Sequence, residues 1–226
     1  MAKIIFITGT DTGVGKTMLT ALLLQHLRAE GCRALVMKPF CSGGRGDVRL
    51  LQSLQRGELS DVEMNPFYFG APVAPLVELK KARRDVPLKE VVASIRRVEK
   101  KCDLLLIEGS GGLMVPLGKN YLVEDLIVRL KCSVIVVSRN RLGTINHTLL
   151  TVARLRAKGV KSGKIRVVLM ENLARDESSG TNKGILEALL GGVKVVSVGK
   201  LSGGKGFFRG KKEIIEGLGE SLEQLI

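Results

Sequence analysis

The sequence predicts an α/β fold: a single domain with a mostly parallel sheet and helices on both faces. Three observations carry that expectation. Near-continuous apolar runs recur, as at residues 103–108 and 133–138, and such runs suit strands buried on both faces. Between them lie segments with apolar residues at helical spacing, for example Val91, Val92, Ile95 and Val98, and the alternation of the two is the mark of this class. No repeat or linker divides the 226 residues, a length that one α/β domain can fill.

Taken in order, residues 4–7 form a buried strand and 18–27 an amphipathic helix stopped near Gly31. Residues 33–38 are a second strand, ended by Pro39. Residues 40–46 read as a glycine-rich loop, after which Asp47 opens a short helix through Leu50, Leu51 and Leu54. Residues 65–72 read as irregular because their prolines oppose regular structure. Residues 87–101 are helical. Residues 103–108 are a buried strand that ends at Glu108 and runs into Gly109-Ser110-Gly111-Gly112. A helix over 121–130 precedes a strand over 133–138, and Leu142-Gly143 turns into a helix over 144–157. The pattern closes with a strand at 165–170, a helix at 183–190, a strand at 193–198 and a helix at 211–225. Residues 202–210 are glycine-rich and read as mobile.

Composition narrows the setting. Cys32, Cys41, Cys102 and Cys132 form no Cys-x-x-Cys pair, which suits reduced thiols in a cytoplasmic protein. His26 and His147 are the only histidines, too few for a histidine metal cluster. No signal-peptide pattern or membrane-length apolar run is present. The formal charge of +14 admits a nucleic-acid partner. Basic residues are scattered over helices, however, and base-stacking aromatics are scarce, so we expect neither a nucleic-acid nor a membrane partner but a lysine-rich enzyme for anionic substrates.

Between the first strand and helix lies Gly9-Thr10-Asp11-Thr12-Gly13-Val14-Gly15-Lys16-Thr17. Strand, glycine loop, Lys-Thr and helix are the context of a phosphate-binding loop, so the expected fold is P-loop NTPase-like. Backbone N–H groups curl inward there and the helix N-terminus adds positive charge. Lys16 would reach the terminal phosphates and Thr17 would ligate Mg²⁺. Gly9 and Gly15 enclose five residues, where the generic pattern has four.

Other candidates sit at strand ends, where open α/β sheets bind ligands. Glu108 suits a second Mg²⁺ carboxylate. Asp47 is either a helix cap or a metal ligand. By spacing alone Lys38 is a surface lysine.

The ordered set Gly9 to Thr17, Lys38-Pro39-x-x-Ser42-Gly43, Asn65-Pro66, Ala71-Pro72-x-x-Pro75, Glu108-Gly109-x-Gly111-Gly112, Pro116-Leu117 and Leu142-Gly143-Thr144-Ile145-Asn146-His147 resembles the ATP-dependent dethiobiotin synthetase family. The likeness covers residues 4–155, and the five-residue loop spacing is usual in that family. It implies an ATP-dependent ligase domain over 1–226 that joins CO₂ to 7,8-diaminononanoate through a carbamate and a carbamic-phosphoric anhydride, giving dethiobiotin, ADP and phosphate. By that resemblance Lys38, Lys16 and Thr12 are catalytic. Gly13, Val14, Gly15, Lys16, Thr17, Met18, Asp47, Glu108, Gly109, Ser110 and Gly111 bind ATP with its Mg²⁺, the metal being held by Thr17, Asp47 and Glu108. Thr12, Ser42, Leu142, Gly143 and Asn146 contact the diamine. The helix that opens at Leu142 belongs in the family to the neighbouring subunit, which implies a homodimer with shared sites. His147 reads as an interface residue, not a base.

The family's Asn-Asp for the nucleotide base is replaced by Met170-Glu171-Asn172, so either Glu171 or Asn172 takes that role, and Gly199-Lys200-Leu201 replaces a proline turn. Two rivals share the loop: another amide-forming ligase, or a ParA- or MinD-like partitioning ATPase. The latter carries an early loop lysine that Thr10 to Val14 lack.

Overall fold

A computed structural model describes residues 2–171, 176–199 and 219–226. Strand β1 (Lys3–Gly9) is apolar and almost wholly buried, and helix α1 (Lys16–Ala29) follows the phosphate loop. Next come β2 (Ala34–Met37), β3 (Phe40–Ser42), α2 (Gly46–Leu54), α3 (Asp61–Met64), β4 (Phe67–Phe69), α4 (Pro75–Lys81) and α5 (Leu88–Glu99). The middle of the chain holds β5 (Leu104–Gly112), β6 (Pro116–Gly118), β7 (Tyr121–Leu122), α6 (Val123–Leu130), β8 (Ser133–Arg139) and α7 (Thr144–Ala157). Then follow β9 (Ile165–Met170), α8 (Asn182–Leu189) and β10 (Lys194–Val198).

Six strands form one parallel sheet in the order β10-β9-β8-β1-β5-β2. β1 lies between β5 and β8, with Ile7 beside Glu108 and Gly9 beside Val137. That register brings three strand ends together: the phosphate loop after β1, Glu108 on β5 and Lys38 just past β2. Phe6, Ile5 and Ile7 are buried with Leu19, Leu22 and Leu23 of α1; each such side chain contributes about 1.5–3 kcal/mol by leaving water. No helix among the described residues is long and apolar enough to cross a membrane.

The strand and helix pattern expected from sequence is present, with local differences. The loop at 40–46 and the irregular stretch at 65–72 contain β3 and β4, which pair in parallel, Phe40 to Phe67 and Ser42 to Phe69. The prolines flank these strands without entering them, and the rings of Phe40 and Phe67 stack at 5.0 Å. α3 starts in a capping box, Ser60 with Glu63, and α4 starts at a proline in its first turn; both are too short to show periodicity. β5 runs through its glycines to Gly112 instead of stopping at Glu108. Tyr121 and Leu122 pair with β6, so the helix expected over 121–130 begins at Val123. The expected segment at 202–210, and most of the helix at 211–225, lie outside the described residues.

Candidate active site

The phosphate loop turns on glycines. Gly13 and Gly15 adopt φ +70° and +104°, open to glycine and rarely to other residues. A Cβ on Gly9 would meet Val14 Cγ2 at 2.7 Å. Val14 itself is buried, packed under the loop. Lys16 donates to the Asp11 carbonyl at 2.9 Å. Burial pushes its ammonium down to about 8, with Lys38 adding to the shift and Glu108 opposing it.

Facing the loop is a cation flanked by carboxylates. Lys38 Nζ lies 2.6 Å from Glu108 Oε1 and 2.7 Å from Asp47 Oδ2. Thr17 Oγ1 donates to the same Glu108 oxygen at 2.8 Å. Glu108 is fully buried, and its Oε2 is a buried atom without a hydrogen-bond partner. Burial alone would lower the Lys38 pKa; the Glu108 and Asp47 carboxylates outweigh it and hold the ammonium above the usual lysine range. Burial likewise would raise Asp47, but Lys38 holds it below the usual carboxylate range. Lys38 is therefore not a solvated surface lysine, and Asp47, in the first turn of α2, pairs with Lys38 and makes no side-chain cap.

These groups line a cavity of about 510 Å³. Its walls include Thr12, Gly13, Gly15, Lys16, Thr17, Met18, Ser42, Gly109, Ser110 and Gly111 from the expected set, together with Lys38, Asp47 and Glu108. Ser42 Oγ is buried without a partner, while Ser110 Oγ donates to the Phe40 carbonyl at 2.6 Å. Thr17 Oγ1, Asp47 and Glu108 are the hard oxygen donors that Mg²⁺ prefers, and an ammonium already sits among them, so the residues fit that ion. Pro72, Val73, Ala74 and Val115 form an apolar wall. The sequence marked the Ala-Pro-x-x-Pro motif but assigned it no place in the site.

Leu142, Gly143 and Asn146 do not line this cavity. They open α7, whose Thr144 and His147 border a smaller pocket beyond the phosphate loop, with Thr10, Asp11 and Thr12 on its other side. The Leu142 N–H donates to Asp176 Oδ2 at 2.7 Å and the Thr144 N–H to the Arg141 carbonyl, so two of the N–H groups there are already engaged. Glu171, just past β9, accepts from Asn140 Nδ2 at 2.7 Å; Asn172 lies outside the described residues. Sequence reasoning missed Arg139, which donates to the loop at Gly13. No motif signals it; the only sign is its place at the end of β8, beside β1.

Residues 3–200 match the family described as an AAA domain. The chain is 38% identical over 191 residues to the ATP-dependent dethiobiotin synthetase BioD of Bacillus subtilis (strain 168), covering 82% of each chain. It is 44% identical over 161 residues to the protein of that name from Anaeromyxobacter sp. (strain Fw109-5), covering 69% of this chain and 72% of that one. Among solved structures, the MinC:MinD cell division protein complex of Aquifex aeolicus matches with a TM-score of 0.61 at 12% identity, covering 99% and 96%. The pNOB8 ParA bound to nonspecific DNA matches with a TM-score of 0.55 at 15% identity, covering 100% and 96%. At such identities the likeness is one of fold alone.

Proposed function

The chain belongs to the ATP-dependent dethiobiotin synthetase family, ligases of biotin synthesis, and from that membership we propose that it closes the ureido ring of dethiobiotin on 7,8-diaminononanoate, taking up CO₂ and converting ATP to ADP and phosphate. The observation that carries the reading is the Lys38 ammonium, buried between Glu108 and Asp47 and lining one cavity with Lys16. Phosphoryl transfer asks for positioning and charge neutralisation and little covalent help, and these side chains offer both.

One substrate amine adds to CO₂ and loses a proton, giving a carbamate. A carbamate oxygen attacks the γ-phosphorus and ADP leaves. The second amine then attacks the carbonyl carbon of the mixed anhydride, phosphate leaves, and the ring is closed. Lys38 neutralises the carbamate and the moving phosphoryl group, and Lys16 holds the phosphates. Backbone N–H groups from Gly13 to Met18 receive the nucleotide, Gly109 to Gly111 leave room beside it, and Thr12 and Ser42 orient the diamine. Thr17, Asp47 and Glu108 would hold Mg²⁺, which supplies neutralising charge to the triphosphate when bound. Glu171 or Asn172 would read the base.

We also propose a homodimer of single-domain chains (1–226) in which Leu142, Gly143 and Asn146 serve the neighbouring subunit's diamine. In support, Leu142, just before α7, and Leu150, on it, are 81% and 62% exposed, and Asn146 and Leu150 are one helical turn apart on α7. The cytoplasm is the proposed location. Purified protein given the diamine, bicarbonate, Mg²⁺ and ATP should form dethiobiotin. Absence of product, with ATP hydrolysis stimulated by DNA instead, would overturn the assignment in favour of a partitioning switch.

A further inference from the structure

We propose that Arg139 is a positioning residue for the nucleotide's phosphates, acting through the backbone of the phosphate loop; this rests on the nucleotide-binding reading above. The end of β8 clasps the loop with three consecutive residues. Val137 O accepts from the Thr10 N–H at 2.9 Å, and Ser138 Oγ accepts from Thr10 Oγ1 at 3.2 Å. Arg139 then donates Nε at 3.0 Å and Nη2 at 2.6 Å, both to the Gly13 carbonyl. The first two contacts fix where the loop starts, whereas Arg139 fixes its middle.

The direction of that contact gives it a consequence. Arg139 borders the small pocket together with Thr12 and Val14, while Gly13, Gly15 and Lys16 border the main cavity, which Thr12 also lines. In a trans peptide the carbonyl and the following N–H point opposite ways. Holding Gly13 O against Arg139 therefore fixes the Val14 N–H pointing away from the guanidinium, and a loop N–H held in one direction is a ready donor to a phosphate oxygen. The guanidinium charge also polarises that peptide and strengthens its N–H as a donor. A Cβ on Gly13 would sit 3.1 Å from Arg139 Nη2, a tight contact.

Lys16 cannot do this work. Its ammonium donates to the Asp11 carbonyl and must let go to reach a phosphate. Arg139 does not line the main cavity and can stay in place as the nucleotide enters.

The test is calorimetric binding of ADP and of AMP to the wild type, Arg139→Ala and Arg139→Lys, with thermal midpoints alongside. A charge-assisted bond at a partly exposed position predicts about a ten-fold weaker ADP affinity in Arg139→Ala. AMP, which lacks the β-phosphate, should lose less, and the thermal midpoint should stay near wild type. Lysine cannot reproduce the two-point contact and should rescue little, whereas millimolar guanidinium added to Arg139→Ala should restore ADP affinity. Unchanged ADP affinity, equal losses for ADP and AMP, or a loss that tracks a lowered midpoint without guanidinium rescue would each overturn the proposal. A wild-type chain that bound no ADP would overturn the nucleotide reading as well, and this inference with it.

Discussion

Lys38 and Glu108 are 70 positions apart in the chain and 2.6 Å apart in the fold. The contact exists because Met37 is in register with Ile107, so the residues following each stand side by side at the top of the sheet. Thr17 and Asp47 complete the cluster, which makes the ammonium a cation resident among the oxygens proposed for Mg²⁺.

Replacing that cation should therefore have two opposite effects. Lys38→Met should raise the affinity of nucleotide-free protein for Mn²⁺, read by electron paramagnetic resonance, since two carboxylates lose their internal partner. The same change should lower turnover about 10²–10³-fold, the usual effect of losing one preorganised donor to developing charge. Unchanged or weaker Mn²⁺ binding would show that the ammonium does not compete with the metal.

Lys16 is on the loop itself and hydrogen-bonds the Asp11 carbonyl, whereas Lys38 pairs directly with Glu108 and Asp47. Lys16→Ala should cost about 10²–10³ in turnover and weaken triphosphate binding, while leaving Mn²⁺ affinity without nucleotide near wild type. Steady-state rates and fluorescent-nucleotide titration would separate the two variants.

Gly109 is the residue after Glu108, and a Cβ there would meet Phe6 Cε1 at 2.8 Å and Ile7 O at 3.3 Å. The ring belongs to the centre of the core and has no room to retreat. Gly109→Ala should cost about 1–3 kcal/mol, as overpacking does, measurable by urea unfolding. A loss below a few tenths would mean that β1 and β5 separate more readily than their packing implies.

Glu124, fully buried at the start of α6, accepts from Arg154 at 2.7 Å and 2.5 Å and pairs with Lys158 at 3.0 Å. The hydrogen bonds from Arg154, against the opposing effect of burial, hold its carboxyl below the ordinary value of 4.5. A folded pKa below the unfolded one adds stability that is complete above about 4.5 and is lost as pH falls through the folded value. Glu124→Gln should therefore destabilise the protein by about 1–3 kcal/mol near neutrality and flatten the acid limb of its stability profile. Equal acid sensitivity in variant and wild type would contradict this.

How much of the site was legible depended on chain distance. Gly9 to Thr17 announces itself, because loop, lysine and helix start are contiguous and their spacing encodes their conformation. Glu108 was legible as the polar end of an apolar strand. Lys38 and Asp47 were each ambiguous from local spacing, since a strand-end lysine and a helix-start aspartate are common on surfaces. Resemblance to a family suggested roles for them, and only the fold shows that they stand together, with Lys38 between Asp47 and Glu108. β3 and β4 were missed because three-residue strands carry no periodicity and each is stabilised by the other, 27 residues away.

The sequence by itself determined the α/β class, the parallel sheet of buried strands and the position of the phosphate loop, because apolar periodicity and glycine spacing are local properties. The tertiary structure decided which strand ends meet. Placing β1 between β5 and β8 brings Glu108 to one side of the loop and Arg139 to the other. Strand order follows from how distant apolar faces pack together, and no stretch of sequence states it alone.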